Sequence, residues 1–279
     1  MQFRTDLAVE AVADAAVQKE YRENMELCTL ELTPADAQTI GKSSGRYITA
    51  ILPPLSDDEK DLEKKALVLG EYLRSLLPKE GSVLVVGLGN EAITPDALGP
   101  RAASMVLATR HIQGEFARSV GLDDLRSTVV LKPDVLGNTG MESSEIVAGV
   151  CDVLRPAAVI AVDALAARSL ERLGCTVQLS DTGISPGSGV GNNRRALNRE
   201  TLHLPVIGVG VPTVVDAATL AQDLTGVATE AAAPRGAQMM VTPREIDLVI
   251  ARAARLIAMT IHAALQPAYS PLELLSIAL

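Results

Sequence analysis

The sequence predicts an α/β fold in which helices cover both faces of a largely parallel sheet. Short aliphatic runs alternate with helical segments from about residue 80 onward, and this alternation requires crossover connections between parallel strands. Hydrophobic residues make up 48% of the 279 residues and aromatic ones 2%, and a core of branched aliphatic side chains is typical of a buried parallel sheet. We expect a single domain over residues 1–279 that begins with a less regular N-terminal arm.

The N-terminal part of the chain has a mixed pattern, with strand-like runs at Cys28–Leu32 and Arg46–Leu52. Ser56 followed by Glu59 has the spacing of a capping box, which predicts the start of a helix. Apolar residues at helical spacing then continue from Leu62 to Leu76, and the next proline ends the helix.

The rest of the chain alternates between predicted strands and helices. Five aliphatic runs predict strands: Ser82–Val86, Thr128–Leu131, Ala157–Val162, Thr176–Leu179 and Leu204–Val211. Four longer segments predict helices: Ala97–Arg110, Glu142–Leu154, Ala166–Leu173 and Pro243–Leu265. The glycine-rich stretch Gly183–Gly191 predicts a long loop inside this pattern.

The overall charge argues against several kinds of partner. A net charge of −9 at pH 7 opposes binding to nucleic acid or to an anionic lipid surface, and it favours a basic protein or peptide. Charges stand near the N-terminus where a signal peptide needs an apolar core, and no uncharged apolar run is as long as a membrane span. We therefore expect a cytoplasmic protein.

The residue types that most often bind metals are scattered along the sequence. They are Cys28, Cys151 and Cys175 and the histidines His111, His203 and His262. Without a CxxC pair the cysteines are expected to be reduced thiols, and the histidines lack the spacing of zinc ligands. No metal or other cofactor is expected.

Two aspartates follow predicted strands where functional groups gather in α/β folds. Asp96 lies in the loop after the first aliphatic run, and Asp163 directly follows Val159–Val162. The carboxyl ends of the strands form the site in open α/β sheets, although each aspartate could instead cap the helix after it. Two adjacent carboxyl groups cannot both ionise cheaply, so one keeps a proton to donate while the other activates water.

Other short motifs have weaker chemical interpretations. The turn Gly87–Asn90 is similar to a dinucleotide fingerprint, but the acidic residue expected about 20 residues later is missing. Asp181–Gly183 matches the active-site triplet of pepsin-like proteases, which are all-β, so Asp181 is expected to organise the following loop. Gly183–Gly187 matches a nucleophile elbow, but Pro186 after the serine has no N–H for an oxyanion hole.

Ordered sequence blocks along most of the chain resemble the germination proteases of spore-forming bacteria. The blocks are Arg4–Glu10, Val85–Asn90, Thr94–Pro100, Asn138–Glu142, Ala161–Ser169, Ser180–Asn192, Gly210–Ala217 and Val241–Asp247. One departure is Lys132–Val135, where the family has a more neutral turn on the substrate side.

The resemblance implies an endopeptidase that degrades small acid-soluble spore proteins in the spore core during germination. It implies an atypical aspartic protease with a core similar to that of hydrogenase maturation proteases, a group in which carboxylates after comparable strands contact a metal. It also implies that Asp96 and Asp163 are the catalytic pair and that the protein is a homotetramer.

Two other functions stay open at this point. One is a metal-dependent protease like those of hydrogenase maturation, against which the missing histidine constellation counts. The other is a non-enzymatic nucleotide-binding or scaffold protein of doubly wound fold, which the turn Gly87–Asn90 permits.

The first residues carry a pattern that the resemblance implies for substrates. Thr5–Glu10 contains an acidic residue, a large apolar residue, an alanine and a second acidic residue, although an amphipathic helix start explains it locally nearly as well. We expect a zymogen that cuts itself between Asp6 and Leu7, with residues 1–6 as a short propeptide lying in or across the cleft. Acid is the expected trigger, because protonating carboxylates such as Asp6 weakens the charge interactions that hold the segment.

Overall fold

A computed structural model describes residues 5–13, 16–57, 61–112, 114–119, 121–122, 124–187, 194–226, 236 and 239–279. Within these ranges nine strands form one sheet: β1 (Gln18–Arg22), β2 (Met25–Leu32), β3 (Gly45–Ile51), β4 (Val83–Gly87), β5 (Thr128–Leu131), β6 (Ala158–Ala167), β7 (Thr176–Ser180), β8 (Val206–Asp216) and β9 (Met240–Val241). The α-helices in the same ranges are α1 (Pro34–Ile40), α2 (Leu62–Leu76), α3 (Leu98–Ser104), α4 (Gly114–Ser119), α5 (Leu136–Thr139), α6 (Ser143–Leu154), α7 (Arg199–Leu202), α8 (Ala217–Thr225), α9 (Ile246–Leu265) and α10 (Pro271–Ala278).

The sheet is mixed, with a parallel centre. Its spatial order is β1-β2-β3-β7-β8-β6-β4-β5, and β9 pairs with the C-terminal end of β8. The strands β5, β4, β6 and β8 pair in parallel, and the other pairings are antiparallel. Strands β4, β5 and β6 follow one another through helix-containing crossovers, which parallel pairing requires. The α/β class is confirmed, and the parallel character belongs to these four strands.

Helices cover both faces of the sheet, as predicted. Along β4 the side chains alternate between two apolar clusters. Val85 packs in one cluster with Leu69 of α2 and with α9, whereas Val86 packs in the other with Val147 of α6. The two layers shield the parallel centre of the sheet from water.

The N-terminal region is more regular than the sequence indicates. Strands β1 and β2 form a hairpin whose turn residues Glu23 and Asn24 have φ angles of 47° and 57°, the backbone of a type I′ turn. Strand β2 then pairs with β3, and β3 pairs with β7 of the central sheet. The expectation of an irregular arm is therefore wrong for residues 18–51, which extend the main sheet.

Two predicted helices differ in the structure. The helix predicted at Ala97–Arg110 ends at Ser104, and the segment between it and β5 contains the separate short helix α4. The helix predicted at Ala166–Leu173 is wrong: β6 continues to Ala167 because its far end pairs with β8, and only the 3₁₀ turn Leu170–Arg172 follows. Pairing with a distant strand overrides the local helical pattern at this point.

The predicted capping box before α2 is also wrong in its placement. The helix begins at Leu62, and Asp61 is its N-cap residue with a φ angle of 57°. The Ser56 hydroxyl instead donates to the Asp57 carboxylate at 2.7 Å, and Glu59 lies outside the described residues.

By length and composition alone, helix α9 could cross a membrane. Its most apolar stretch has a mean hydropathy of 1.6, and 78% of that stretch is buried inside the protein. It packs against α2, α3 and α10, so its apolar character is explained by its place in the core.

His262 of α9 makes stability depend on pH. It is 2% exposed, and its Nε2 accepts a hydrogen bond from the Leu107 N–H at 2.9 Å. Burial lowers the pKa of His262 to about 4, whereas its ordinary value is near 6.5. Between these two pH values His262 is protonated in the unfolded chain but neutral in the folded chain. The folded state therefore loses stability as pH falls through this window, by roughly 2 kcal/mol between pH 7 and pH 5.

We expect the variant His262→Gln to lose less stability than the wild type between pH 7 and pH 5, because glutamine does not titrate. The measurement is urea unfolding at both pH values, and the exposed His111→Gln is the matched control. An equal acid-induced loss in wild type and His262→Gln would contradict this assignment.

Candidate active site

The candidate site lies on the α6 face of the sheet, beside the end of β4 at Gly87. Asp163 does not follow its strand as predicted but lies within β6, which continues to Ala167. Asp163 in β6 pairs with Gly210 in β8, and Gly210 pairs with Gln178 in β7. Because directly paired residues project to the same face, the side chains of Asp163 and Gln178 flank a glycine. Both are largely buried, with 5% and 8% of their surface exposed.

Glycines bring the Asp96 loop close to this row. A Cβ at Gly99 would lie 2.2 Å from the Leu88 oxygen and 2.4 Å from the Val162 oxygen, and one at Gly89 would lie 2.1 Å from the Asp96 oxygen. Gly89 also has a φ angle of 112°, which disfavours any other residue. The glycine turn after β4 is thus explained by close backbone packing, without a bound nucleotide.

Asp96 is held in place by its own loop. It ends the 3₁₀ turn Thr94–Asp96, and its Oδ2 accepts a hydrogen bond from the Asn90 N–H at 2.7 Å. The Thr213 hydroxyl of β8 donates to the Pro95 oxygen at 2.8 Å. Burial raises the pKa of Asp96, and the bond from Asn90 opposes that rise.

Asp163 is the more strongly perturbed of the two carboxyl groups. Burial raises the pKa of Asp163 well above its ordinary range, and the nearby charges of Asp96 and Asp6 raise it further. The Ala164 N–H donates to its Oδ1 at 2.9 Å and opposes these effects. Burial and the two neighbouring charges therefore favour the protonated form of Asp163 more strongly than burial favours that of Asp96, an order that the sequence leaves open.

Two cavities meet at Asp163. One of about 430 Å³ is lined by both Asp96 and Asp163, and its volume suits a short peptide segment. The other, of about 820 Å³, is lined by Asp163 and Gln178. Asp6 lines both cavities, so the N-terminal segment lies between them.

The N-terminal segment is docked on the part of β6 that extends beyond Asp163. The Asp6 N–H donates to the Ala166 oxygen at 2.9 Å, and the Asp6 carboxylate accepts from the Ala166 N–H at 2.8 Å. Leu7 is fully buried in an apolar cluster with Leu165 and Ala167. Residues 1–4 of the expected propeptide lie outside the described residues.

A second acidic residue anchors the same segment. The Glu10 carboxylate accepts hydrogen bonds from the N–H groups of Arg168 and Ser169, both at 2.8 Å. The Lys42 ammonium donates to the Thr5 oxygen, and burial lowers the pKa of Lys42 while the charges of Asp6 and Glu10 oppose that change. The substrate-like pattern at Thr5–Glu10 is therefore used in contacts with the cleft wall.

The other sequence candidates lie elsewhere or have structural roles. Asp181 accepts from the Arg46 N–H of β3 at 2.8 Å, and residues 188–191 of the loop that it is expected to organise lie outside the described residues. His111 and His203 are exposed, and His262 is buried. Among the described residues, no group of three or more His, Cys, Asp or Glu side chains is arranged to hold a metal.

Comparisons with known proteins identify relatives of the chain. The sequence model of a peptidase family, Germination protease, matches residues 2–228. The chain is 40% identical over 314 aligned positions to Germination protease of Caldanaerobacter subterraneus subsp. tengcongensis, covering 98% of this chain and 97% of that one. It is 37% identical over 313 positions to Germination protease of Clostridium acetobutylicum, covering 95% of each. A solved NiFe hydrogenase maturation protease, HycI from Thermococcus kodakarensis, aligns with a TM-score of 0.38 and 17% identity over 68% of this chain and 98% of that one.

Proposed function

This chain belongs to the germination protease family, and we propose that it is an aspartic endopeptidase that degrades small acid-soluble spore proteins in the spore core. Asp96 and Asp163 are its catalytic pair. The observation that carries this proposal is the environment of Asp163, a buried carboxyl group beside a second one at the wall of a shared cavity.

The pair supplies both proton transfers that amide hydrolysis needs. The Asp96 carboxylate takes a proton from a water molecule whose oxygen attacks the peptide carbonyl carbon, and Asp163 donates its proton to the leaving nitrogen. The C–N bond then breaks, leaving Asp96 protonated and Asp163 ionised, and exchange with solvent restores the first state. Because the two groups are coupled, they titrate as a pair.

The substrate class is supported by the way in which the cleft binds an acidic and apolar segment of its own chain. Leu7 fills an apolar pocket, and backbone N–H groups receive the carboxylates of Asp6 and Glu10. A substrate with the same order of acidic and large apolar residues can make the same contacts. The experiment is digestion of a small acid-soluble spore protein and of casein, with the cut sites read by mass spectrometry. Equal, unselective cutting of both would contradict the assigned substrate.

We propose further that the chain is a zymogen that cuts itself between Asp6 and Leu7. Asp6 lines both cavities at Asp163, so removal of residues 1–6 would join them into one longer cleft. Acid is the proposed trigger, because protonating the carboxyl groups that hold the segment weakens its charge interactions.

We also propose a homotetramer. Family membership supports it, and large apolar side chains remain exposed on several helices, including Val153 of α6 and Leu279 after α10, which are 82% and 81% exposed. Light scattering is expected to give four times the chain mass of 29.3 kDa. A mass equal to that of one chain at working concentration would contradict the proposal.

A further inference from the structure

Gln178 is a buried amide that the catalytic pair leaves unused. It lies in the wall of the larger cavity with 8% of its surface exposed, and a buried amide needs partners for both of its polar atoms. Both partners lie in the N-terminal segment: its Nε2 donates to the Asp6 oxygen at 3.2 Å, and its Oε1 accepts from the Ala8 N–H at 2.8 Å.

These two contacts lie on either side of the Asp6–Leu7 bond. The Asp6 oxygen is the carbonyl oxygen of that bond, and the Ala8 N–H belongs to the next peptide unit. The partners also fix the orientation of the amide, since a carbonyl oxygen requires a donor and an N–H requires an acceptor. One side chain thus holds the backbone across the proposed cleavage point.

The sheet register places Gln178 opposite the catalytic carboxyl group. Asp163, Gly210 and Gln178 form one row across three adjacent strands, and two strand spacings separate the outer members by about 10 Å at the backbone. Gly210 has no room for a side chain, since a Cβ there would lie 2.6 Å from Leu165. A peptide over this glycine would have a carboxyl group on one side and an amide on the other.

We propose that Gln178 binds the carbonyl oxygen of the peptide bond to be cut, in protein substrates as in the chain's own N-terminal segment. This inference rests on the proposed function. Negative charge develops on that oxygen when water attacks the carbonyl carbon, so the Nε2 hydrogen bond strengthens on the way to the tetrahedral intermediate. The Oε1 contact meanwhile keeps the peptide in register.

A purely structural role for Gln178 predicts different kinetics. An anchor that only holds the segment would change peptide affinity, and hence KM, but leave kcat unchanged. A group that binds the developing oxyanion acts on kcat. The separation of kcat from KM therefore distinguishes the two roles.

The experiment uses each full chain after its N-terminal segment has been cut by tagged wild-type enzyme, which is then removed, and a peptide with the sequence of residues 3–12. Gln178→Met removes both polar groups at similar volume, and we expect kcat to fall by about 10²–10³-fold, as for the loss of one oxyanion donor. Gln178→Glu keeps an acceptor but places an anion at the carbonyl oxygen. Its kcat should be low at neutral pH and recover relative to wild type as acid protonates the new carboxyl group into a donor. Gln18→Glu, on the exposed edge strand β1, is the matched control.

Each outcome addresses one proposal. A wild-type kcat in both Gln178 variants, with only KM raised, would overturn the inference and leave the catalytic pair intact. A wild type that does not cut the peptide, or an Asp163→Asn variant that cuts it at the wild-type rate, would count against the proposed function itself. If Gln178→Met does not fold, the equally sized Gln178→Glu provides the test. A kcat that recovers in acid relative to wild type supports the inference, and a kcat equal to that of wild type at every pH contradicts it.

Discussion

Replacing Asp163 by Asn is expected to reduce kcat by about 10²–10⁴-fold, the usual contribution of a positioned acid or base, while raising the stability of the folded chain at neutral pH. The first effect follows because asparagine cannot donate a proton to the leaving nitrogen. The second follows because the protein buries Asp163 beside the charges of Asp96 and Asp6. Asn removes that penalty yet keeps an oxygen for the Ala164 N–H.

The pH dependence of this gain has a definite sign. In the unfolded chain Asp163 titrates near its ordinary pKa of about 3.9, whereas in the folded chain its pKa lies well above that range. The contribution of Asp163 to wild-type stability is therefore fully present below its pKa in the unfolded chain. It is lost as pH rises through its pKa in the folded chain. Thermal melts of Asp163→Asn should match wild type near pH 4 and exceed it at pH 7, by about 2–4 °C for each kcal/mol gained.

The control for both effects is Asp152→Asn, an exposed aspartate of α6. It should change neither the cleavage rate nor the melting temperature. An Asp163→Asn variant less stable than wild type at pH 7 would show that the carboxyl group is ionised and well paired, contrary to the assignment of the proton.

Replacing Leu7 by Ala is expected to slow self-processing by about 10²-fold, because a hydrophobic pocket distinguishes side chains by the apolar groups they fill. Leu7 is completely buried in a cluster with Leu165 and Ala167, so its contacts hold the Asp6–Leu7 bond against the part of β6 that follows Asp163. The matched control is Leu67→Ala on α2, where the leucine is 45% exposed.

Intact-mass spectrometry after mild acid treatment measures this processing. The wild type should lose residues 1–6 and begin at Leu7, and Asp163→Asn should remain full length unless active enzyme is added. A mature N-terminus at another residue, or self-processing by Asp163→Asn alone, would contradict the proposed zymogen.

The central part of the fold could be predicted from the sequence because its signals are local. Strands β4 and β5 and the first half of β6 are short aliphatic runs, and Asp96 and Asp163 follow two of these runs in the sequence. The pairing of the antiparallel strands could not be predicted from local patterns. The partner of β3 is β7, which lies far from it in the sequence. The end of β6 likewise has the local pattern of a helix, but it forms a strand because it pairs with β8.

The remaining part of the candidate site depends on contacts between residues that are far apart in the sequence. Ala166 bonds to Asp6 across 160 positions, and Gln178 bonds to the same residue across 172. Gln178 stands at the centre of the sequence TVQLS, in which polar and aliphatic residues alternate. This alternation alone predicts only a strand. Its relation to Asp163 follows from the register of β6, β8 and β7.

The most direct test of the central claim is the rate at which the wild type, Asp96→Asn, Asp163→Asn and Asp152→Asn cleave a small acid-soluble spore protein. Two carboxyl groups that share one proton and act on one water molecule are both required, so each of the first two variants should lose about 10²–10⁴-fold in kcat, while Asp152→Asn cleaves like the wild type. Cleavage at the wild-type rate by either Asp96→Asn or Asp163→Asn would remove that aspartate from the mechanism and contradict the paired-carboxyl account.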